Sequence, residues 1–201
     1  MNPIDKLAEY FKQFPGIGER QSKRFVYFLL TKDKQYLESL SNAIIHVKDG
    51  VRICPLCQRF FSGNSEVCTF CTTTEDTTSL LIVEKDADLE AFRKSKTYNG
   101  FYFVLGGLVP ILEKNPSEFL RLREMVKRVV DLKKDGLKEI VLAFSLTPSG
   151  THTDEYIRNT LKNYLEGTDI KLVSLGRGLS TGTELEYSDA DTIKYALRNR
   201  Q

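Results

Sequence analysis

The chain has four cysteines, and they fall in two C-x-x-C pairs, Cys54-Pro55-Leu56-Cys57 and Cys68-Thr69-Phe70-Cys71, with ten residues between the pairs. Tetrahedral zinc takes four soft ligands converging on one point, and a C-x-x-C turn brings two thiolates together. The short spacer returns the second pair to the first. Two disulfides or a redox-active pair are the alternatives. Against the disulfides, the start of the chain (Met1 to Lys6) already carries Asp5 and Lys6, and no apolar run is long enough to span a membrane. A cytoplasmic location is therefore expected, where disulfides rarely persist. Against the redox pair, two C-x-x-C motifs this close together favour a metal. The pattern points to zinc on Cys54, Cys57, Cys68 and Cys71. Its role would be structural, because four thiolates fill the coordination shell and leave no position open for substrate.

A second candidate site is Phe14-Pro15-Gly16-Ile17-Gly18, set between two helical patterns. Glycines permit backbone conformations closed to other residues and leave amides uncovered. The helix that follows would aim its first N–H groups outward, as a phosphate site insensitive to base sequence. Gly16 and Gly18 would form the bend, and Arg20, Lys23 and Arg24 could pair with further phosphates. A plain αα-turn with a solvated basic face is the competing account, and the pattern alone leaves both open.

The acidic candidates are Glu84, at the end of an apolar strand, and Asp86, Asp88 and Glu90 just after it. Ligands of open α/β sheets collect at the carboxyl ends of strands, and carboxylates there can hold Mg²⁺. Acids at a helix start are also ordinary partners of the helix dipole. The third strand ends in Phe144-Ser145-Leu146-Thr147-Pro148-Ser149-Gly150 with no acid before Asp154, so the second half of a metal site is missing and catalytic Mg²⁺ is not expected. The two histidines, His46 on a helix and His152 in a loop, have no partner that spacing singles out. No Gly-Lys pair occurs in the chain, which excludes a P-loop.

These groups must be carried by elements. Ile4, Leu7, Ala8, Phe11 and Phe14 predict a first helix over 3–14, stopped by Pro15-Gly16. A second helix starts near Glu19 and buries Phe25, Phe28 and Leu29. A third runs from about Lys34 to Val47, with Leu37, Leu40, Ile44 and Val47 on one face. Strands are expected at 79–83, 101–105, 139–144 and 170–175, with helices at 86–95, 116–134, 153–165 and 189–198. Continuously apolar strands alternating with helices imply a parallel sheet covered on both faces. The fold class is thus α/β and multi-module, with expected boundaries at 1–50 (helical hairpin), 51–76 (zinc module), 77–175 (α/β domain) and 176–201 (C-terminal loop and helix). The glycine-rich stretch from Gly176 to Tyr187 reads either as a partner-facing loop or as a long connection. The basic run from Arg121 to Lys138 reads as a salt-bridged solvent face, since Glu118, Glu124, Asp131 and Asp135 are interspersed. With 29 Lys plus Arg against 27 Asp plus Glu, composition does not announce a nucleic-acid binder. DNA contact would have to come from local clusters or from several copies acting together.

Taken in order, these residues resemble the RecR family of bacterial recombination mediators. Phe14-Pro15-Gly16-Ile17-Gly18 is similar to its L-P-G-I-G hairpin, and the four cysteines to its zinc finger. Leu81-Ile82-Val83-Glu84 with Asp88 looks like the opening of its Toprim domain. Tyr98-Asn99-Gly100, then Val104-Leu105-Gly106-Gly107 and Pro110, looks like its Y-x-G…V-L-x-G…P stretch. Gly182 through Glu184-Leu185-Glu186-Tyr187 and Asp189 looks like its C-terminal G-x-E-L-E-Y-x-D. The resemblance covers essentially the whole chain. It implies a helix-hairpin-helix, a four-cysteine zinc finger and a Toprim-like α/β domain. It further implies a DNA-binding adaptor without catalysis, closing into homo-oligomeric rings, often tetramers. Such an adaptor would work at the nucleoid with RecO and RecF to help load RecA in DNA repair. On this resemblance Arg20 and Arg24 would line the DNA-facing side of the ring, and Glu84 and Asp88 would serve partner contact.

Two departures stand out. Where the family usually has E-G-E-x-T, this chain has Pro148-Ser149-Gly150-Thr151-His152-Thr153, so Ser149 replaces an acid. Arg93 also stands where an acid is common on the first Toprim helix. Both changes remove negative charge that could hold Mg²⁺ or a basic face of RecO. The rival reading, a Toprim-type Mg²⁺-dependent nucleic-acid enzyme, is weakened accordingly. A protein-only adaptor whose hairpin serves dimerisation is a third reading.

Overall fold

The computed structural model describes residues 2–111, 120–176, 179, 182 and 184–198. The chain divides into two units, Met1–Val51 and Arg52–Gln201.

The first unit holds α1 (Pro3–Lys12), α2 (Glu19–Leu30) and α3 (Lys34–Gly50). Asn2 caps α1 by accepting from the Ile4 N–H at 2.9 Å, and Pro3 takes the first helical position, where its missing N–H costs nothing. Asp33 caps α3 in the same way through Tyr36 N–H at 2.7 Å. Ala8 on α1 and Ser22 and Val26 on α2 are buried, and Phe11 meets Phe25 edge to face at 5.6 Å. The buried stripe of α2 therefore runs through Ser22 and Val26, one turn apart. Phe28 lies off that stripe and is 49% exposed, contrary to the expectation that it is core; its ring instead carries the Lys32 ammonium at 4.4 Å. The apolar face of α3 is also there, but it is not buried: Leu37, Leu40, Ile44 and Val47 are all exposed, Ile44 to 63%.

A two-stranded sheet follows, β1 (Val51–Ile53), whose first residue is the last of the first unit, and β2 (Phe60–Ser62), then a single helical turn, α4 (Thr69–Thr72). Then come β3 (Asp76–Val83), α5 (Asp86–Ser95), β4 (Gly100–Val104), α6 (Leu122–Lys134), β5 (Glu139–Ala143), α7 (Pro148–Leu165), β6 (Lys171–Ser174), a 3-10 turn at Leu185–Tyr187 and α8 (Ala190–Arg198). The four strands β3 to β6 make an all-parallel sheet in the order β4-β3-β5-β6, with Leu81 opposite both Tyr102 and Val141. Alternate side chains face opposite ways. Leu80, Ile82, Phe103, Ile140 and Leu142 pack against Met125 and Val129 of α6 and Ile157 and Leu161 of α7. Leu81, Val83, Tyr102 and Val104 pack on the other face against Leu89 of α5. Coverage of both faces is why the strands read as unbroken apolar runs.

Several boundaries move from the sequence expectation for tertiary reasons. β3 begins at Asp76, three residues early, held by Asp76 N–H to Asn99 C=O at 3.2 Å. α6 begins at Leu122, not at Pro116; residues 116–119 lie outside the described residues. Leu120 is drawn into the core, and Arg121 N–H is taken by the Leu105 carbonyl at 3.0 Å, which keeps both out of the helix. α7 begins at Pro148 rather than Thr153, with Thr147 as a cap that accepts from Gly150 N–H at 3.1 Å. His152, expected in a loop, therefore lies on a helix. Of the glycine-rich C-terminal stretch, Arg177, Gly178, Ser180, Thr181 and Thr183 lie outside the described residues.

Candidate functional site

The β1–β2 turn presents Cys54 and Cys57, and the entry to α4 presents Cys68 and Cys71. Cys54 N–H bonds to the Arg59 carbonyl at 2.9 Å, Gln58 N–H returns to the Cys54 carbonyl at 2.9 Å, and Gln58 takes a left-handed φ of 61° to close the turn. The second knuckle is closed by Cys71 N–H to the Cys68 carbonyl at 3.1 Å. The four Sγ atoms lie within 4.8 Å of one another, with Cys57 to Cys68 at 3.5 Å and Cys54 to Cys71 at 4.0 Å. Zn–S bonds of about 2.3 Å in a tetrahedron put sulfurs about 3.8 Å apart. The donor set therefore fits one tetrahedral metal ion, and all four thiols are free. In the metal-free protein Cys68 is held far below the ordinary thiol range by hydrogen bonds from Cys57 and then Cys71. Cys57 is pushed up chiefly by its own bond to Cys68. Four thiolates cannot be packed together here without a cation to neutralise them.

This centre is bolted to the sheet. Val104 N–H at the end of β4 bonds to the Cys57 carbonyl at 2.8 Å, and Arg121 donates to the Gln58 carbonyl and to the Val104 carbonyl. Asp86 accepts from Phe60 N–H at 2.8 Å, and Glu90 pairs with Arg59 at 2.9 Å. The Phe70 ring carries the Arg59 guanidinium at 3.8 Å and the Arg93 guanidinium at 4.1 Å. Two guanidiniums that close to one centroid must occupy opposite faces. Arg59, Asp86, Glu90, Arg93 and Arg121 were not assigned these roles by sequence reasoning. The one available signal was that Asp86, Glu90 and Arg93 recur at i, i+4, i+7, which places them on one helix face.

The acids at the strand end do not converge. Glu84 lies 3.7 Å from Lys85 Nζ, and Asp88 accepts from Lys85 N–H at 3.2 Å to close the first turn of α5. Among the described residues, the one group of three or more Cys, His, Asp or Glu with converging ligand atoms is the cysteine set. At the other departure, the Ser149 carbonyl accepts from Thr153 Oγ1 at 2.7 Å, and Thr153 in turn accepts from Val109 N–H at 2.8 Å. Gly150 beside it is a packing requirement, because a Cβ there would sit 1.8 Å from the Ser145 carbonyl oxygen.

In the first unit Gly16 has φ +75°, the left-handed conformation that favours glycine. Gly18 differs from expectation: at φ −88°, ψ 176° it is ordinary extended backbone, with nothing within 4 Å of an added Cβ. Gly18 is the residue that caps α2 without a side chain, so the first N–H groups of that helix have no side-chain cap. Lys23 is paired to Glu19 at 3.3 Å and Arg24 to the Gln21 amide oxygen at 3.3 Å, while Arg20 is exposed and has no ion pair among the described residues. In the basic stretch after residue 120, Lys134 pairs with Asp131 at 3.8 Å and Arg128 lies over Phe101 at 4.6 Å; Glu118 is outside the described residues.

Comparison with known proteins divides the chain in a consistent order. Residues 4–48 match the family described as RecR, helix-hairpin-helix, residues 78–173 the Toprim domain, and residues 178–201 the family described as RecR, C-terminal. Proteins named Recombination protein RecR match nearly end to end. The one from Lactobacillus helveticus is 32% identical over 98% of this chain and 96% of its own length. Those from Chloroherpeton thalassium and Pelobacter propionicus are 33% and 34% identical over 98% of this chain and 95% of theirs. The name these relatives carry is that of a recombination protein, not of an enzyme. No helix among the described residues is long and apolar enough to cross a membrane.

Proposed function

The chain belongs to the RecR family of recombination proteins, which act in recombinational repair, and from that premise we propose that it is a DNA-binding mediator with no catalysis of its own. The hairpin formed by Gly16 and Gly18 offers the uncapped start of α2 to backbone phosphate, and Arg20, Lys23 and Arg24 add charge around it. Zinc on Cys54, Cys57, Cys68 and Cys71 holds the knuckle that ties into the sheet. Copies of the chain close into a ring, a tetramer in this reading, so that several weak phosphate grips act on one DNA. RecO and RecF dock on the assembly, with Glu84 and Asp88 at the partner-facing strand end, and RecA loading follows. The site of action is the cytoplasmic nucleoid.

The observation that carries this reading is the bare N-terminus of α2 with exposed Arg20 and Arg24 on the same helix, in a chain of this family. Self-association is supported by α3. Leu37, Leu40, Ile44 and Val47 are spaced three and four apart, the a/d spacing of a coiled-coil seam, and all four are exposed in the single chain. A second copy of the same helix is the partner that such a seam suits.

The test is a salt-controlled mobility-shift titration of Arg20→Ala with Arg24→Ala. Binding should weaken at every DNA sequence, and the slope of log affinity against log salt should fall by about 0.9 for each phosphate that is no longer neutralised. Unchanged affinity and slope, in a variant whose circular dichroism matches the parent, would refute the phosphate grip.

A further inference from the structure

The knuckle and the first Toprim helix are joined more extensively than a tethered finger needs. Asp86, Glu90 and Arg93, one per turn along a single face of α5, each reach a different part of the cysteine module: the Phe60 amide, the Arg59 side chain and the Phe70 ring. Leu89, three residues after Asp86 and four before Arg93, borders that face and is fully buried against the sheet. Phe70 belongs to both apolar clusters, the one around the cysteines and the one that holds Leu81, Val83 and Leu89. Phe70 sits between Cys68 and Cys71, on the four-residue helix α4. Four residues cannot sustain a helix by themselves. The position of the Phe70 ring is therefore set by the ligands on either side of it.

We propose that the metal centre positions helix α5, and with it the Glu84–Asp88 strand end, through Phe70 clamped between Arg59 and Arg93. Resting on the metal reading given above, this assigns the knuckle a conformational role beyond its own stability. With the ligands held, the ring stays between the two guanidiniums and α5 is braced by the knuckle as well as by the sheet under Leu89. With the metal removed, the Cys68–Cys71 turn loosens, Phe70 leaves its place, and α5 is left with its Leu89 contact to the sheet. Arg93 is then a positioning residue. In the last turn of α5 it supplies a cation–π interaction with the knuckle.

Amide hydrogen exchange read by mass spectrometry tests this in the full-length protein, with metal content measured in parallel. Removing metal with a chelator should speed exchange in 86–95 by roughly ten-fold while β3 and β5 keep their protection. Phe70→Ala and Arg93→Ala, both retaining one metal per chain, should speed exchange in 86–95 without chelator, and Arg93→Lys should restore part of the protection. Three results would overturn the proposal. One is unchanged α5 exchange after metal loss. Another is equal loss of protection in the sheet strands, which would make the effect global unfolding. The third is a purified chain that holds no metal, which would remove the metal reading itself and would be recognised by the metal analysis alone.

Discussion

Gly150→Ala isolates how much of the segment between β5 and α7 is packing. A methyl at this position falls 1.8 Å from the Ser145 carbonyl oxygen, 2.9 Å from its carbon and 3.0 Å from its Oγ. The first distance is roughly half an ordinary van der Waals separation, and the atom is backbone just past the end of a central strand, so no side chain can swing aside. Either the chain after β5 or the first turn of α7 has to move. Moving the helix start breaks the Thr147 cap on Gly150 N–H, a loss of about 1 kcal/mol. It also disturbs Thr153, which links the Ser149 carbonyl to Val109 N–H and is fully buried, for about another 1–2 kcal/mol. With the overpacking strain itself, the expected cost is about 3–5 kcal/mol. Urea unfolding followed by far-UV circular dichroism should show the midpoint fall with the slope unchanged. A loss below about 0.5 kcal/mol would mean that the helix start yields freely, and the steric reasoning would fail. Ser149→Ala should by contrast be nearly silent, because the hydrogen bond to Thr153 at that residue uses its carbonyl.

Cys57→Ser should lower bound metal to less than half of the parent value and shift the thermal transition down by several degrees, as read by metal analysis and calorimetry. Metal affinity should fall as pH is lowered, because the ligands bind as thiolates and protons compete for them; a competition titration with a colorimetric chelator reads this, and a flat profile would contradict it. Asp76→Asn should cost about 1–2 kcal/mol at neutral pH, since the Asp76 carboxylate accepts from Ser79, Thr78 Oγ1 and Thr78 N–H, which hold it below the usual carboxylate range. A depressed carboxylate stabilises the fold above its unfolded value near 3.9 and loses that contribution as pH falls through the folded value, so the gap between parent and variant should close only in acid. Ile44→Glu should leave the lone chain folded, because Ile44 is exposed, yet reduce oligomer mass in light scattering.

The convergence of the four cysteines and the strands were legible because their signals are local. Two C-x-x-C turns carry their geometry within four residues each, and a strand buried on both faces writes an unbroken apolar run. The start of α7 was misread for an equally local reason: Pro148-Ser149-Gly150 looks like a run of helix breakers. Pro is at home in the first turn behind a threonine cap, and Gly150 is there for want of room. The start of α6 had no local signal to read, since Leu120 and Arg121 are claimed by Leu105 and the core.

Arg93 shows what sequence reasoning cannot weigh without knowing which side chains meet. Read along the chain it is a missing acid, and the inference is a weaker metal or partner surface. Read in the fold it is one jaw on Phe70, with Arg59 as the other and Glu90 pairing that second guanidinium at 2.9 Å. Arg59 and Glu90 are thirty-one positions apart in the chain. No periodicity links residues that far apart, and only the return of the chain through the cysteine turn brings them together. The residue that reads as a lost charge along the chain thus strengthens the joint between knuckle and sheet.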